Sequence, residues 1–161
     1  MCITYVRGAG DGDGSMHPMC ATTDPLTPDC FSDADFAGDK TTRWSTSGLA
    51  IMLCGGIVVA SSRRQTTVAD STTAAETIAL HALVKEVLWV RNMLEWTGYK
   101  QEQPITLWCD NNSAVRNSRE GTERNKTKHM DIKYMFIQDI VWQGLITVRH
   151  VGTSHMVADV S

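Results

Sequence analysis

The stretch LAIMLCGGIVVAS, residues 49–61, carries two apolar runs, 49–54 and 57–61, on either side of Gly55-Gly56. Two short apolar runs joined by a glycine pair signal a β-hairpin, because a tight loop that matches strand twist needs positive φ, which glycine adopts freely. Just upstream, Cys30-Phe31-Ser32-Asp33 reads as a short strand ending in an acid. Residues 29–62 therefore read as three antiparallel strands in succession.

Beyond the hairpin, residues 71–96 read as a helix. Ser71, Thr72 and Thr73 offer N-cap hydroxyls. Ile78, Leu80, Leu83, Val84, Val87, Leu88, Val90, Met93 and Leu94 are apolar at helical and near-continuous spacing. So wide an apolar face predicts a helix packed on a sheet with little exposed surface, stopped at Gly98. Residues 105–109 read as a strand ending at Asp110, and Asn111-Asn112-Ser113 open a short helix. A polar, basic loop over 119–128 leads to a second long helix over 129–143, with Ile132, Met135, Phe136, Ile140 and Val141 on one side and Gly144 as its stop. Residues 145–151 form a last strand. The order βββ-α-β-α-α-β predicts an α/β fold, a mixed sheet with helices on its faces. Upstream, the Gly/Asp-rich 8–14 and Pro18, Pro25 and Pro28 mark residues 1–27 as a partly disordered lead-in.

Hydrophobic residues make up 42% and charged residues 20% of the 161 residues. That composition excludes a disordered chain and fits one domain. A chain of about 150 residues buries roughly 70% of its extended surface, enough for a core without staples. The net charge of -3 excludes a protein that binds nucleic acid over its whole surface, and leaves a local basic patch. The five cysteines are Cys2, Cys20, Cys30, Cys54 and Cys109; they include no CxxC pair, so a zinc site with standard spacing is not supported. Cys30, Cys54 and Cys109 lie in apolar runs and read as small buried hydrophobes of a reducing, intracellular setting. Trp89, Trp96, Trp108 and Trp142 read as core or edge packing. No apolar run approaches the ~20 residues of a membrane span, and no signal peptide is visible.

Four acids stand out by position. Asp33 closes the first strand, Glu76 lies in the first turns of the long helix, Asp110 ends a strand, and Asp159 follows the last strand. Acids delivered by separate elements, each near an element end, can converge on one point. Phosphodiester hydrolysis uses such a point: two divalent cations about 3.5–4 Å apart activate water and stabilise the leaving oxygen. Mg²⁺ takes hard oxygen ligands, and the ions offset the repulsion among carboxylates. Each acid also has an ordinary reading. Asp33 fits a turn, Asp110 a helix N-cap, Glu76 a solvated first-turn acid, and Asp159 the surface. Likewise Arg63-Arg64 and the cluster Arg124, Lys126, Lys128 and His129 read either as phosphate contacts or as solvated charges.

The local strings bear on these alternatives. Residues 31–39 (FSDADFAGD), 42–48 (TRWSTSG), 61–69 (SSRRQTTVA), 71–80 (STTAAETIAL), 85–91 (KEVLWVR), 109–114 (CDNNSA) and 127–134 (TKHMDIKY) resemble seven motifs of the ribonuclease H domain of copia-type long-terminal-repeat retrotransposon Pol polyproteins. The resemblance covers 29–159 in order and nearly without gaps. Tyr5-Val6-Arg7-Gly8 resembles the segment that precedes this domain, in the connection after reverse transcriptase. Residues 28–161 are thereby identified as a ribonuclease H-like domain behind the 1–27 lead-in.

The resemblance implies a mixed five-stranded sheet, its first three strands antiparallel, flanked by helices, with the C-terminal helix truncated. It implies endonucleolytic hydrolysis of the RNA strand of RNA–DNA hybrids with two Mg²⁺ ions, or Mn²⁺ in their place. Asp33, Glu76, Asp110 and Asp159 match the family's catalytic, metal-binding acids. Arg63, Arg64, Asn111, Asn112, Arg124, Lys126, Lys128 and His129 are its implied hybrid contacts; of His150 and His155, both near Asp159, His155 reads either as an aid to proton transfer, as in related nucleases, or as a surface histidine. The implied partners are the RNA–DNA hybrid and the reverse transcriptase domain of the same polyprotein, with no membrane and a monomeric domain. The implied setting is intracellular, a cytoplasmic virus-like particle or the nucleus. Three departures accompany the match. The family's TEAEY is Thr73-Ala74-Ala75-Glu76-Thr77, Trp44 replaces a basic residue, and Asp70 replaces a small or apolar one. Only Val160-Ser161 follow Asp159, where the family continues into a helix, so Asp159 is expected to be loosely held and activity weak. The rival reading is a catalytically inactive, decayed or domesticated nucleic-acid-binding remnant.

Overall fold

The computed structural model of the protein describes residues 26–38, 41–120 and 128–152, with side chains from Met130 onward in the last stretch. The described elements are β1 (Asp29–Asp35), β2 (Thr46–Leu53), β3 (Gly56–Arg64), α1 (Thr72–Trp96), β4 (Ile105–Cys109), α2 (Asn112–Glu120), α3 (Lys128–Trp142) and β5 (Ile146–His150). The strands form one sheet in the order β3-β2-β1-β4-β5. β1, β2 and β3 pair antiparallel, while β1–β4 and β4–β5 pair parallel. This is the mixed ribonuclease H-like sheet that the sequence implied. The early lead-in, including Tyr5-Val6-Arg7-Gly8, Cys2 and Cys20, lies outside the described residues. The described chain enters at Leu26, whose carbonyl accepts the Gln101 Nε2–H at 3.3 Å.

The β2–β3 hairpin turns one residue earlier than its glycine pair suggests. Leu53 pairs with Gly56, so the two loop residues are Cys54 and Gly55, with φ of 53° and 76°. Two positive φ values in a two-residue loop define the type I′ geometry that matches strand twist. Cys54 therefore stands exposed at the turn, whereas its place in an apolar run predicted a buried thiol. The expectation holds for Cys30 and Cys109, both buried.

Helix α1 begins at Ser71, whose Oγ accepts the Ala74 N–H at 3.2 Å. Leu80, Leu83, Val84, Val87, Val90 and Leu94 are buried in the main core, with Cys30, Ile51, Leu107, Ile137 and Val148 from other elements. Gly98, at φ 92°, ends the helix in the left-handed conformation. The breadth of the apolar pattern overstated its burial, since Trp89 is 58% and Trp96 90% exposed. On α3 the buried positions are Met130, Tyr134, Ile137, Gln138 and Ile140, and Ile132, Met135 and Trp142 are exposed. With 3.6 residues per turn, 130, 134 and 137 share a face that 132 and 135 do not. Trp89, Trp96 and Trp142 are thus surface residues, and only Trp108 packs as expected, against Phe31 and Ala50.

Candidate active site

Parallel pairing of β1 with β4 sets the site. Cys30, Phe31 and Ser32 stand opposite Leu107, Trp108 and Cys109. The next residues, Asp33 near the end of β1 and Asp110 just past β4, therefore lie at the same end of the sheet, with strand spacing near 4.8 Å. Helix α1 begins over this end and brings Glu76 down between them. The Ala34 N–H donates to Glu76 Oε1 at 3.2 Å, and the Cys109 thiol donates to Glu76 Oε2 at 3.9 Å. One ligand atom each from Glu76, Cys109 and Asp110 lie within 4.8 Å of one another.

The ordinary readings of these acids fail one by one. Asp33 is inside a strand and 9% exposed, not in a turn. Glu76 is 5% exposed, not a solvated first-turn acid. Asp110 is not the N-cap of α2, because Asn111 Oδ1 accepts the Ala114 N–H at 3.0 Å and takes that role. Capping by Asn111 frees the Asp110 carboxylate.

Electrostatics tie the three together. Burial, then the charges of Asp110 and Asp33, push the Glu76 carboxyl up to about 8, and only the Ala34 N–H works the other way. Like charges crowded in a desolvated site disfavour ionisation. An added divalent cation would reverse that balance, and hard carboxylate oxygens suit Mg²⁺ or Mn²⁺. The donor set fits such an ion.

Gln65 places the start of α1. Its Nε2–H groups donate to Ser47 Oγ at 2.8 Å and to the Ala75 carbonyl at 2.9 Å, and its N–H donates to the Ser45 carbonyl at 2.8 Å. The end of β3, the start of β2 and the first turn of α1 are thus joined one residue from Glu76. Sequence reading quoted Gln65 within a motif but gave it no role, because a buried amide between elements leaves no periodic signal. On the far side, Thr77 Oγ donates to Tyr134 Oη at 2.8 Å. The Thr that replaces the family's Tyr is therefore a buried link between α1 and α3.

Arg64 lies opposite Thr46, which lies opposite Asp35, so Arg63 and Arg64 share the sheet end with the acids, about two strand spacings away. Both are exposed, and the Arg64 guanidinium sits 5.0 Å over the Trp44 ring, a cation–π contact. Asn112 is exposed beside Asn111. His150 donates from Nε2 to the Asp110 carbonyl at 3.0 Å, which places an exposed imidazole beside the cluster. Asp159, His155, Arg124 and Lys126, and the side chains of Lys128 and His129, lie outside the described residues.

No protein-family model matches the chain. Over 158 residues, 98% of its length, the chain is 33% identical to the retrovirus-related Pol polyprotein from transposon TNT 1-94 of Nicotiana tabacum. The match covers 11% of that polyprotein, so the chain spans a small part of the curated relatives. Among solved structures it is similar to LC11-RNase H1, isolated from compost, with a TM-score of 0.56 and 14% identity over 80% of this chain and 86% of that one. It is also similar to the foamy viral protease-reverse transcriptase in complex with RNA/DNA hybrid, with a TM-score of 0.57 and 15% identity over 89% of this chain and 19% of that one. At such identities the structural likeness is one of fold. Among the described residues no helix is long and apolar enough to cross a membrane.

Proposed function

We propose that this chain, which belongs with the retrovirus-related Pol polyproteins of transposons, is their ribonuclease H segment and hydrolyses the RNA strand of RNA–DNA hybrids at Asp33, Glu76 and Asp110. The observation that carries this reading is the convergence on Glu76: a buried carboxyl raised by burial and by the charges of two neighbouring carboxylates. A fold meets the cost of such crowding where a cation is to be held.

In this reading Asp33, Glu76 and Asp110 hold two Mg²⁺ ions, which Mn²⁺ can replace, with Asp159 as a fourth ligand. The ions supply charge neutralisation and activation of water for hydrolysis. Ala34 N–H fixes one Glu76 oxygen, so the carboxylate needs little reorganisation. Arg63, Arg64 and Asn112 line the rim and meet the hybrid backbone, and Asn111 adds its amide N–H. Arg124, Lys126, Lys128 and His129 extend that contact. Phosphate contacts of this kind position the duplex without reading its sequence, which suits a nuclease that acts on any hybrid. The domain spans residues 28–161, acts as a monomer, and works beside the reverse transcriptase of its polyprotein. That role sets it inside the cell, in a virus-like particle or the nucleus. The presence of all three described acids favours hydrolysis over an inactive remnant.

The test is cleavage of an end-labelled RNA–DNA hybrid. Mg²⁺ should support cutting of the RNA strand, chelator should stop it, and double-stranded DNA should remain intact. A folded protein that binds the hybrid but leaves it uncut with both Mg²⁺ and Mn²⁺ would overturn the reading in favour of the binding remnant.

A further inference from the structure

Beneath the carboxylates lies a thiol that hydrolysis does not use. Cys109 is the last residue of β4 and is wholly buried. Its sulfur and one oxygen each of Glu76 and Asp110 lie within 4.8 Å of one another. Metal–sulfur bonds near 2.3 Å and metal–oxygen bonds near 2.0–2.2 Å bring the ligand atoms of a tetrahedral zinc ion to roughly 3.5 Å apart. Binding such an ion would draw the three ligand atoms together from their present spacing.

A second observation concerns the other side of the sulfur. Ser32 is the register partner of Cys109. Its side chain is 0% exposed, and its Oγ has no conventional hydrogen-bond partner. Register sets it beside the Cys109 sulfur on the same face of the sheet. A buried hydroxyl with no other use beside the sulfur is the kind of outer-shell donor that a metal-bound thiolate needs. A neutral thiol gives the Ser32 hydroxyl little to donate to.

We propose that Glu76, Cys109 and Asp110 form a site for one thiophilic divalent cation of the Zn²⁺ or Cd²⁺ class, which displaces the hard ions and arrests hydrolysis. Soft cations select sulfur where hard ones select oxygen. As the sulfur–metal bond forms, the thiol proton leaves to solvent, and no electron is transferred. The inference rests on reading the acids as a hard-metal site.

The test uses the full chain with Cys2, Cys20 and Cys54 replaced by Ser, titrated with Cd²⁺ alone. One ion per chain should produce sulfur-to-cadmium charge-transfer absorption, lost in Cys109→Ser and in Cys109→Ala and kept in Cys30→Ser. Cys109→Ser should raise the Cd²⁺ concentration that inhibits Mg²⁺-dependent hybrid cleavage by more than about tenfold, the low end of what even an outer-shell change costs in metal affinity. Should both Cys109 variants fail to fold, the unsubstituted Cys109 is read instead by how far Cd²⁺ protects it from thiol reagents in urea that labels it in the metal-free chain, followed by mass spectrometry. Absorption that survives loss of Cys109, or an unprotected Cys109 in saturating Cd²⁺, overturns the proposal. Hybrid cleavage with a Cd²⁺-silent Cys109 sinks this site alone, whereas Cd²⁺ absorption without any cleavage sinks the hydrolase reading alone.

Discussion

Glu76 and Asp29 are both buried acids of this domain, 5% and 8% exposed, and they stand at opposite ends of the sheet. Asp29 opens β1, where burial raises its carboxyl and the Trp108 indole N–H lowers it. One of its oxygens has no protein partner. Glu76 is raised by burial and also by Asp110 and Asp33. Burial alone makes an awkward acid; convergence of several acids from separate elements makes a place for a cation. The two ends of β1 therefore differ in kind, although each would be marked by a search for perturbed carboxyls.

Substitution at the converging end should have the largest effect. Asp110→Asn keeps the shape but removes a ligand charge, and hybrid cleavage should fall by roughly three orders of magnitude, equivalent to about 4 kcal/mol. Circular dichroism should be unchanged. Near-normal cleavage by the variant would place Asp110 outside the site and erase the contrast with Asp29.

Glu76 makes a prediction about stability and pH. Its folded value of about 8 lies above its ordinary 4.5, so the fold favours the protonated acid. That contribution is complete below pH 4.5 and is lost as pH rises through about 8. Urea denaturation of the metal-free protein should show stability declining across that window. Glu76→Gln should flatten the decline, and Mg²⁺ should restore stability to the unsubstituted chain alone. A decline that is identical in both proteins would mean that Glu76 does not carry it.

Gln65→Ala leaves the acids in place but cuts α1 from the strand ends. Loss of its buried hydrogen bonds should cost about 1–3 kcal/mol in urea unfolding, with reduced cleavage because Glu76 is less well held. Gln65→Glu, similar in shape, should not rescue it, since the Ala75 carbonyl needs a donor. Unaltered stability in Gln65→Ala would remove this side chain from the account.

Asp29→Asn should do least. An amide oxygen can still accept the Trp108 N–H, and relief from burying a charge offsets what is lost, so the stability change at neutral pH should stay under about 1 kcal/mol. Hybrid cleavage and Mg²⁺ affinity, the latter read by calorimetry, should not move. A loss of Mg²⁺ binding in this variant would show that burial by itself had marked a site.

Sequence reading reached the elements and the acids by different routes. Apolar runs, helical spacing and glycine punctuation located every described element, because these are local properties of the chain. The turn at Cys54-Gly55 escaped it, since a run of apolar letters does not show where pairing stops; Leu53–Gly56 pairing does. The exposed Trp89, Trp96 and Trp142 escaped for a related reason: hydrophobicity favours burial but does not guarantee a covering neighbour. The acids were legible only as candidates. Capping by Asn111, which releases Asp110, and the amide of Gln65, which seats α1, are three-dimensional facts with no signature in spacing.

The central place of β1, between β2 and β4, also sets when the carboxylates meet. The hairpin and α1 are built from near neighbours, but Ala34 and Glu76 are 42 residues apart, and Glu76 and Cys109 are 33 apart. Contacts that close long loops form slowly relative to local ones. A nascent chain that has left the ribosome only as far as α1 holds a three-stranded ribbon and a helix, with Asp110 still unmade. Pulse-labelled amide exchange during refolding should accordingly find β2 and β3 protected before β4, and competence to cut hybrid arriving with the later phase. The proposed nuclease activity should then be a late product of folding, withheld until β4 seats beside β1.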